Sequence, residues 1–308
     1  MADSNTVALR YYIETAWDTP PSPIPALKPI RRTADTLNEM ETATESAEII
    51  TDRQLRDSIR TGRGSEGGVD FELSYGSFDD LLELGLADAW VSNVLENGTT
   101  RGSILLEKQV TAADATEHFL RYGGFRIGTL SLSMSLGSVI TGSFGGVGKG
   151  MATGATSISS TTPAAATTTL PVSVVDLSAV KENNIAFPGA TEFTLNIDNN
   201  LRRQDQLGSV DPYGIGYGGF RVTGTIAGYF RDRALIDKYI ARTATSFEVE
   251  ITDGAGNKYT FLVPRARLGA PDTSTPGVNQ DQMATFPFTA IVDAGSTEKS
   301  LIISRTPA

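Results

Sequence analysis

Residues 69–90 read VDFELSYGSFDDLLELGLADAW, and this stretch sets the fold class. Val69, Phe71, Leu73 and Tyr75 alternate with Asp70, Glu72 and Ser74. Successive side chains of a strand point to opposite faces, so the spacing predicts a strand with one face in a core and one in solvent. Directly after it, Phe78, Leu81, Leu82 and Gly85 recur at helical spacing. Residues 78–88 are therefore expected to form a short helix that packs this face on a sheet. Ser77 stands where a cap is expected. Asp79 and Asp80 put two carboxylates in the first turn, where the helix dipole favours them.

The strand pattern recurs in both directions from there. Leu130, Leu132, Met134 and Leu136 alternate with Ser131, Ser133 and Ser135. Gly137-Ser138 predicts a turn, with Val139–Phe144 returning as a partner strand. Further on, Phe193, Leu195 and Ile197 alternate with Thr194, Asn196 and Asp198. Phe220, Val222 and Ile226 share one face of another strand. Asp232 can then cap a helix over 232–242 with Leu235, Ile236, Tyr239 and Ile240 on one stripe. Phe247, Val249 and Ile251 precede the turn Asp253-Gly254-Ala255-Gly256-Asn257, which predicts a hairpin into Tyr259, Phe261 and Val263. A last pair of strands is expected over Ala284–Val292 and Leu301–Ser304.

The fold class expected is mainly β, in two tandem β-sandwich or barrel-like domains, each with a short flanking helix. At about 150 residues per domain, 308 residues allow two. Residues 145–171 carry one charge, Lys149, and are rich in Gly, Ser, Thr, Ala and Pro, which reads as a linker or mobile loop. The boundary is placed there, giving domains over 1–170 and 171–308. The order of strand 69–75, helix 78–88 and strand pair 125–144 resembles strand 220–228, helix 232–242 and strand pair 246–263, which suggests an internal repeat. Before all this, PPSPIPALKP at 20–29 reads as stiff and extended. From Ile30 to about Gly68 the chain is polar, charged and Thr-rich. It reads as a long loop that meets a partner, the alternative being a plain exposed loop, with 34–48 and 52–60 as candidate short helices.

Composition excludes several chemistries. The chain has no cysteine and a single histidine, His118, which rules out disulfides, thiol nucleophiles and multi-histidine metal sites. Net charge is −10, the wrong sign for a protein that grips nucleic acid through phosphate contacts. No run of about 18 apolar residues predicts a membrane span. MADSNTVALRYY lacks the basic and apolar regions of a signal peptide.

Catalytic motifs fail in detail. GSFGGVGKGM lacks the phosphate-loop spacing, and Gly150 follows Lys149 where Ser or Thr is required. GIGYGG at 214–219 lacks the dinucleotide spacing and leads into a strand. His118 has no nucleophile motif to serve. Glu248 and Glu250 share one strand face and read as solvated rather than catalytic. Arg53, Arg56, Arg60 and Arg63, interleaved with Asp52 and Asp57, read as a charged surface for a protein partner or equally as a solvated face, not as a DNA groove. Arg202 and Arg203 form a second basic doublet. No enzyme activity, cofactor or metal is expected.

Several segments together resemble the tail tube, or major tail, proteins of long-tailed bacteriophages. The most distinctive is SAEIITDRQLRDSIRTGRGSEGGVDFELSYGSFDDLLELGLADAW, with Ser46, Glu48, Ile49, Asp52, Arg53, Gln54, Gly68 and Phe71–Leu82 at the family's positions. LRYYIETAWDTPP, FLRYGGFRIGTLSLSMSLGSVITGSFGGVGK, FTLNIDNNLRRQDQLGS and GGFRVTGTIAGYF extend the resemblance over nearly the whole chain. It implies a virion structural protein whose rings stack into a hollow tube around passing double-stranded DNA, assembled in the host bacterial cytoplasm. Its implied partners are itself, the tape measure protein, the tail terminator and distal tail proteins. If each half is one tube domain, three chains fill six ring positions. The rival arrangement is a hexamer in which one half decorates the exterior. Asp52, Arg53, Arg56, Arg60, Arg202 and Arg203 are the residues expected at subunit or ring interfaces, and residues 20–66 are expected to bridge rings. The alternative reading is a non-catalytic β-sandwich binding module, carbohydrate-binding or adhesin-like.

Overall fold

The alternating stretches become strands because their apolar positions form one buried face. Val69, Phe71, Phe144, Leu130, Leu132, Phe193, Leu195, Ile197, Val222 and Ile226 are all buried. The computed structural model describes residues 4–49, 54–275, 277–293, 295 and 298–308. Its first half contains β1 (Ala8–Ile13), β2 (Lys28–Pro29), β3 (Ala34–Asp35), β4 (Asn38–Glu45), β5 (Ser58–Glu72), α1 (Asp79–Leu86), β6 (Val94–Glu96), β7 (Ile104–Thr111), β8 (Glu117–Ser135), β9 (Thr141–Gly148) and β10 (Gly150–Gly154). The second contains β11 (Leu177–Glu182), β12 (Ile185–Ala186), β13 (Ala190–Asp198), β14 (Arg202–Gln204), β15 (Gly214–Gly216), β16 (Arg221–Tyr229), α2 (Ala234–Ile240), β17 (Thr245–Thr252), β18 (Lys258–Leu268), β19 (Met283–Ala290) and β20 (Ile302–Thr306).

The two halves use the same pairing plan. β1 pairs with β2 and β7, as β11 pairs with β12 and β17. β7 and β8 form a hairpin, as do β17 and β18. The first part of β8 takes β10, and the first part of β18 takes β20. β5 lies between β4 and β9, and β16 lies between β13 and β19. β9 pairs with the later part of β8, and β19 with the end of β18. Each helix follows the corresponding strand, α1 after β5 and α2 after β16.

The register agrees as well as the order. In the first hairpin Thr111 faces Glu117, Leu106 faces Tyr122, and after a bulge Ile104 faces Phe125. In the second, Thr252 faces Lys258, Phe247 faces Val263, and after a bulge Thr245 faces Ala266. A bulge bends a strand and raises its twist, and both hairpins carry one at the same step of the register. The strand pair equivalent to 246–263 is thus 104–135, not the 125–144 expected from element order.

The halves join edge to edge. Residues 129–135 of β8 pair antiparallel with 192–198 of β13, so the β5-β9-β8 layer continues directly into β13-β16-β19. One hydrophobic cluster runs through both halves, from Leu9 to Ile303.

Two glycines permit this close packing. A Cβ on Gly142 would stand 2.4 Å from the Phe71 ring, and one on Gly224 would stand 2.5 Å from the Phe288 ring. Phe71 faces Gly142, and Gly224 faces Phe288, so each half sets a large ring over a bare backbone.

Five local expectations need correction. Residues 34–35, 38–45 and 58–60 are strand, not helix, and 38–45 and 58–60 form the long hairpin β4–β5. Their Glu/Thr and Arg/Thr alternation carries period two, whereas their helical stripe was thin. Residues 50–53 lie outside the described residues. The expected long loop over 20–66 is therefore in part this hairpin. The glycine-rich stretch after 145 begins as β9 and β10 rather than as a linker. Ser77 does not cap α1, because its hydroxyl bonds Ser74 at 2.7 Å and Thr167 at 2.6 Å. Finally, Leu136 and Ile240 are exposed, unlike the other residues of their stripes.

Candidate assembly surfaces

The solvent face of the joined layer is built by register. One row across it reads Asp70, Ser143, Ser131, Asn196, Thr223, Thr289. The next reads Glu72, Thr141, Ser133, Thr194, Thr225, Pro287. These rows alternate with buried ones, such as Val69, Phe144, Leu130, Ile197, Val222. The exposed face thus carries short hydroxyls, with the acids Asp70, Glu72, Glu192 and Asp198. Its bases are Arg221, opposite Asp198, and Arg267, which extends the first row past Thr289.

Two arms project from this layer. The first is the β4–β5 hairpin. Its strands are tied by Arg60, which lies 2.7 Å from Glu41 and 4.0 Å from Glu39. The Arg60 hydrogen bond holds the Glu41 carboxyl below its ordinary range. Near the tip, Ile49, Leu55 and Ile59 are exposed apolar side chains. The second arm is the β14–β15 hairpin, whose tip exposes Leu207 and Tyr213.

The arms lie against each other. Arg63 N–H donates to Val210 C=O at 2.8 Å, and the Arg63 guanidinium pairs with Asp211. This pairing lowers the Asp211 carboxyl and raises Arg63. Arg203 pairs with Asp205 and lays its guanidinium over Gly62 and Gly64, where a Cβ would stand 3.1 and 2.8 Å from its terminal nitrogens. At the arm's base, buried Arg126 donates to Ile215 C=O and stacks on Tyr217 at 5.5 Å.

Of the residues singled out in the sequence, Arg60 and Arg203 thus hold the arms in shape within one chain. Arg56 is exposed close to the first tip. Arg202 is exposed on the second arm, 3.4 Å from Tyr217 C=O. Asp52 and Arg53 lie outside the described residues. Sequence reasoning missed Arg63–Asp211 as a pair, since nothing local connects positions 148 residues apart.

It also missed the work of Asp79 and Asp80. Asp80 accepts from Tyr11 OH at 2.9 Å and pairs with Lys28, both in the first half. Asp79 accepts from Tyr259 OH and pairs with Arg305, both in the second. Arg305 also stacks on Trp90 at 4.5 Å. Burial and the neighbouring carboxylates push both phenols well above their ordinary range, so both remain donors. Glu248 and Glu250 are likewise ion-paired. Lys181 reaches both, and Lys258 reaches Glu250 at 3.0 Å.

Among the described residues, no three His, Cys, Asp or Glu side chains are grouped as metal ligands. His118 is exposed at the start of β8. No helix of the described residues is long and apolar enough to cross a membrane. The protein is mainly β, with a polar sheet face and two hairpin arms whose ion pairs lie within one chain. The chain belongs to the phage tail tube protein family, whose profile matches residues 4–290. No curated protein matches the chain.

Proposed function

We propose that three copies close into a pseudo-hexameric ring, and that rings stack into the tail tube of a siphovirus-type phage. Each half, 1–170 and 171–308, then supplies one of six tube domains. The observation that carries this reading is the β8–β13 junction, where two units with the same pairing plan already stand side by side in one sheet. Each chain offers the β3/β4 segment, β5, β9, β8, β13, β16, β19 and the end of β18 to the inner layer.

Three chains would give about 24 strands. At a spacing of about 4.8 Å and a tilt of about 40°, they close on a circle about 48 Å across. Side chains leave about 38 Å, enough for a duplex about 20 Å wide. The hydroxyl rows with Asp70, Glu72, Glu192 and Asp198 face this lumen. A wall without a basic stripe does not hold phosphates by counterion release, so DNA slides through during ejection. The arms, with Arg56 and the apolar tip of the first, reach the next ring. Asp52 and Arg53 belong to the same contact in this reading. The tape measure protein fills the lumen before ejection, and the terminator and distal tail proteins close the ends.

Electron microscopy of the purified protein tests the reading, with averages viewed down the particle axis. Rings or tubes with a central hole near 38 Å are expected. Particles that stay monomeric across a wide concentration range, with an assembly initiator added, would overturn it.

A further inference from the structure

In the first half, the ends of β5 and β9 hold a third chain segment between them. Leu73 N–H donates to Ile140 C=O at 2.8 Å, and beyond that bond the strands part. Val172 enters the gap. Its N–H donates to Leu73 C=O at 2.8 Å, and its C=O accepts from Ile140 N–H at 3.0 Å. Pro171 and Ser173 on either side bridge to Ser74 and Val139. Leu73, Ile140 and Val172 are all buried.

The second half has the same gap. Phe230 N–H donates to Gln282 C=O at 2.9 Å, the counterpart of the Leu73–Ile140 bond. There the likeness stops, because no described residue takes the place of Val172. Phe230 is 42% exposed where Leu73 is 1% exposed, and Tyr229 beside it is 45% exposed. A cavity of about 340 Å³ opens next to them, lined by Phe187, Tyr229, Phe230, Leu235 and Phe286. It exists for a visible reason. By register Gly228 stands where the first half has Phe71. Arg233, pointing into solvent, precedes α2 where buried Phe78 precedes α1.

The position of the wedge in the chain identifies its counterpart. Residues 171–173 run directly into a short 3-10 turn, Val174–Asp176, which leads into β11. A turn of the same kind and length, Ser4–Thr6, leads into β1, the equivalent strand. We infer that the residues immediately preceding Ser4 of a second copy insert between Phe230 and Gln282. There they bond Phe230 C=O and Gln282 N–H and cover Phe230 and the cavity mouth. The inference rests on the ring reading, since it requires the neighbour's first half to sit on this second half as β11–β20 sits on β1–β10. Strand addition of this kind draws its strength from backbone bonds and buried apolar area.

The chain has no cysteine, so an engineered pair reports cleanly. Ala2→Cys combined with Gln282→Cys, treated with a short bis-maleimide after assembly, is expected to give covalent multimers up to the trimer on a denaturing gel. Normal rings with no covalent multimers, or with links only within a chain, would overturn the inference and leave the ring reading standing. Absence of rings from the wild-type protein would overturn both. A second variant needs no cross-linker. Deleting residues 1–3 is expected to raise the concentration needed for assembly at least tenfold while leaving the melting of the isolated chain unchanged. Unchanged assembly of that deletion would also count against the inference.

Discussion

The two halves share a pairing plan and differ in how they finish it. The first packs its own rings together and takes Val172 from the segment that opens the second half. Phe71 and Phe78 lie 4.3 Å apart, Phe144 lies 4.7 Å from Phe71, and Val172 seals the strand ends. The second substitutes Gly228 and Arg233 and leaves Phe230 in solvent. The difference teaches that the same strand ends can be sealed by the next unit along the chain or stand open, as at Phe230. In the proposed ring, a chain sealed at one end and open at the other would have the polarity that head-to-tail closure requires.

The largest test of this contrast is in the cores. Phe71→Ala is expected to destabilise the chain by about 3–5 kcal/mol, measured by denaturant unfolding. Phe230→Ala should cost the isolated chain under about 1 kcal/mol, because its ring is half exposed. Equal losses would break the contrast. Next, Gly142→Ala and Gly224→Ala should each cost about 1–3 kcal/mol, since each new methyl meets a ring and a backbone oxygen. A loss in one half alone would show that the large-over-bare pairing is not shared.

Smaller effects are expected at the polar ties. Arg63→Met should cost about 0.5–1 kcal/mol and leave both cores intact, with amide exchange rising in residues 205–213. Unchanged exchange there would mean that the arms do not support each other.

The smallest expected effect is a dependence on acid. Lys181, helped by Lys258, pulls the Glu250 carboxyl down to about 2, below its ordinary value of 4.5. A lowered carboxylate contributes stability above its unfolded value and loses it as the pH falls through the folded one. The contribution is therefore present above about pH 4.5 and fades toward pH 2. In Glu250→Gln this part of the acid sensitivity, about 0.5 kcal/mol after solvent screening, should disappear. A wild-type acid profile in that variant would remove the ion-pair account.

Much of this fold is legible in the sequence, because burial on one face writes period two into strands. The runs through Phe71, Leu132, Leu195 and Phe247 and the two helices follow from spacing alone. The β4–β5 arm was less legible, since both its faces are polar and Thr, Arg and Glu serve helix and strand almost equally. A usable clue was present: Glu39 and Glu41 lie on one face of their strand, facing a strand that carries Arg60. The β8–β13 junction, the Gly142 and Gly224 contacts and the reach of Asp79 to Arg305 were not legible. Each depends on which distant strands meet, and no local pattern records that.

The central claim is that two equivalent repeats in each chain make three chains a complete ring. Native mass spectrometry of the smallest closed ring tests it most directly. The account predicts three chains of 32.7 kDa each. A closed ring of six chains would contradict it and would place one half of every chain outside the tube wall.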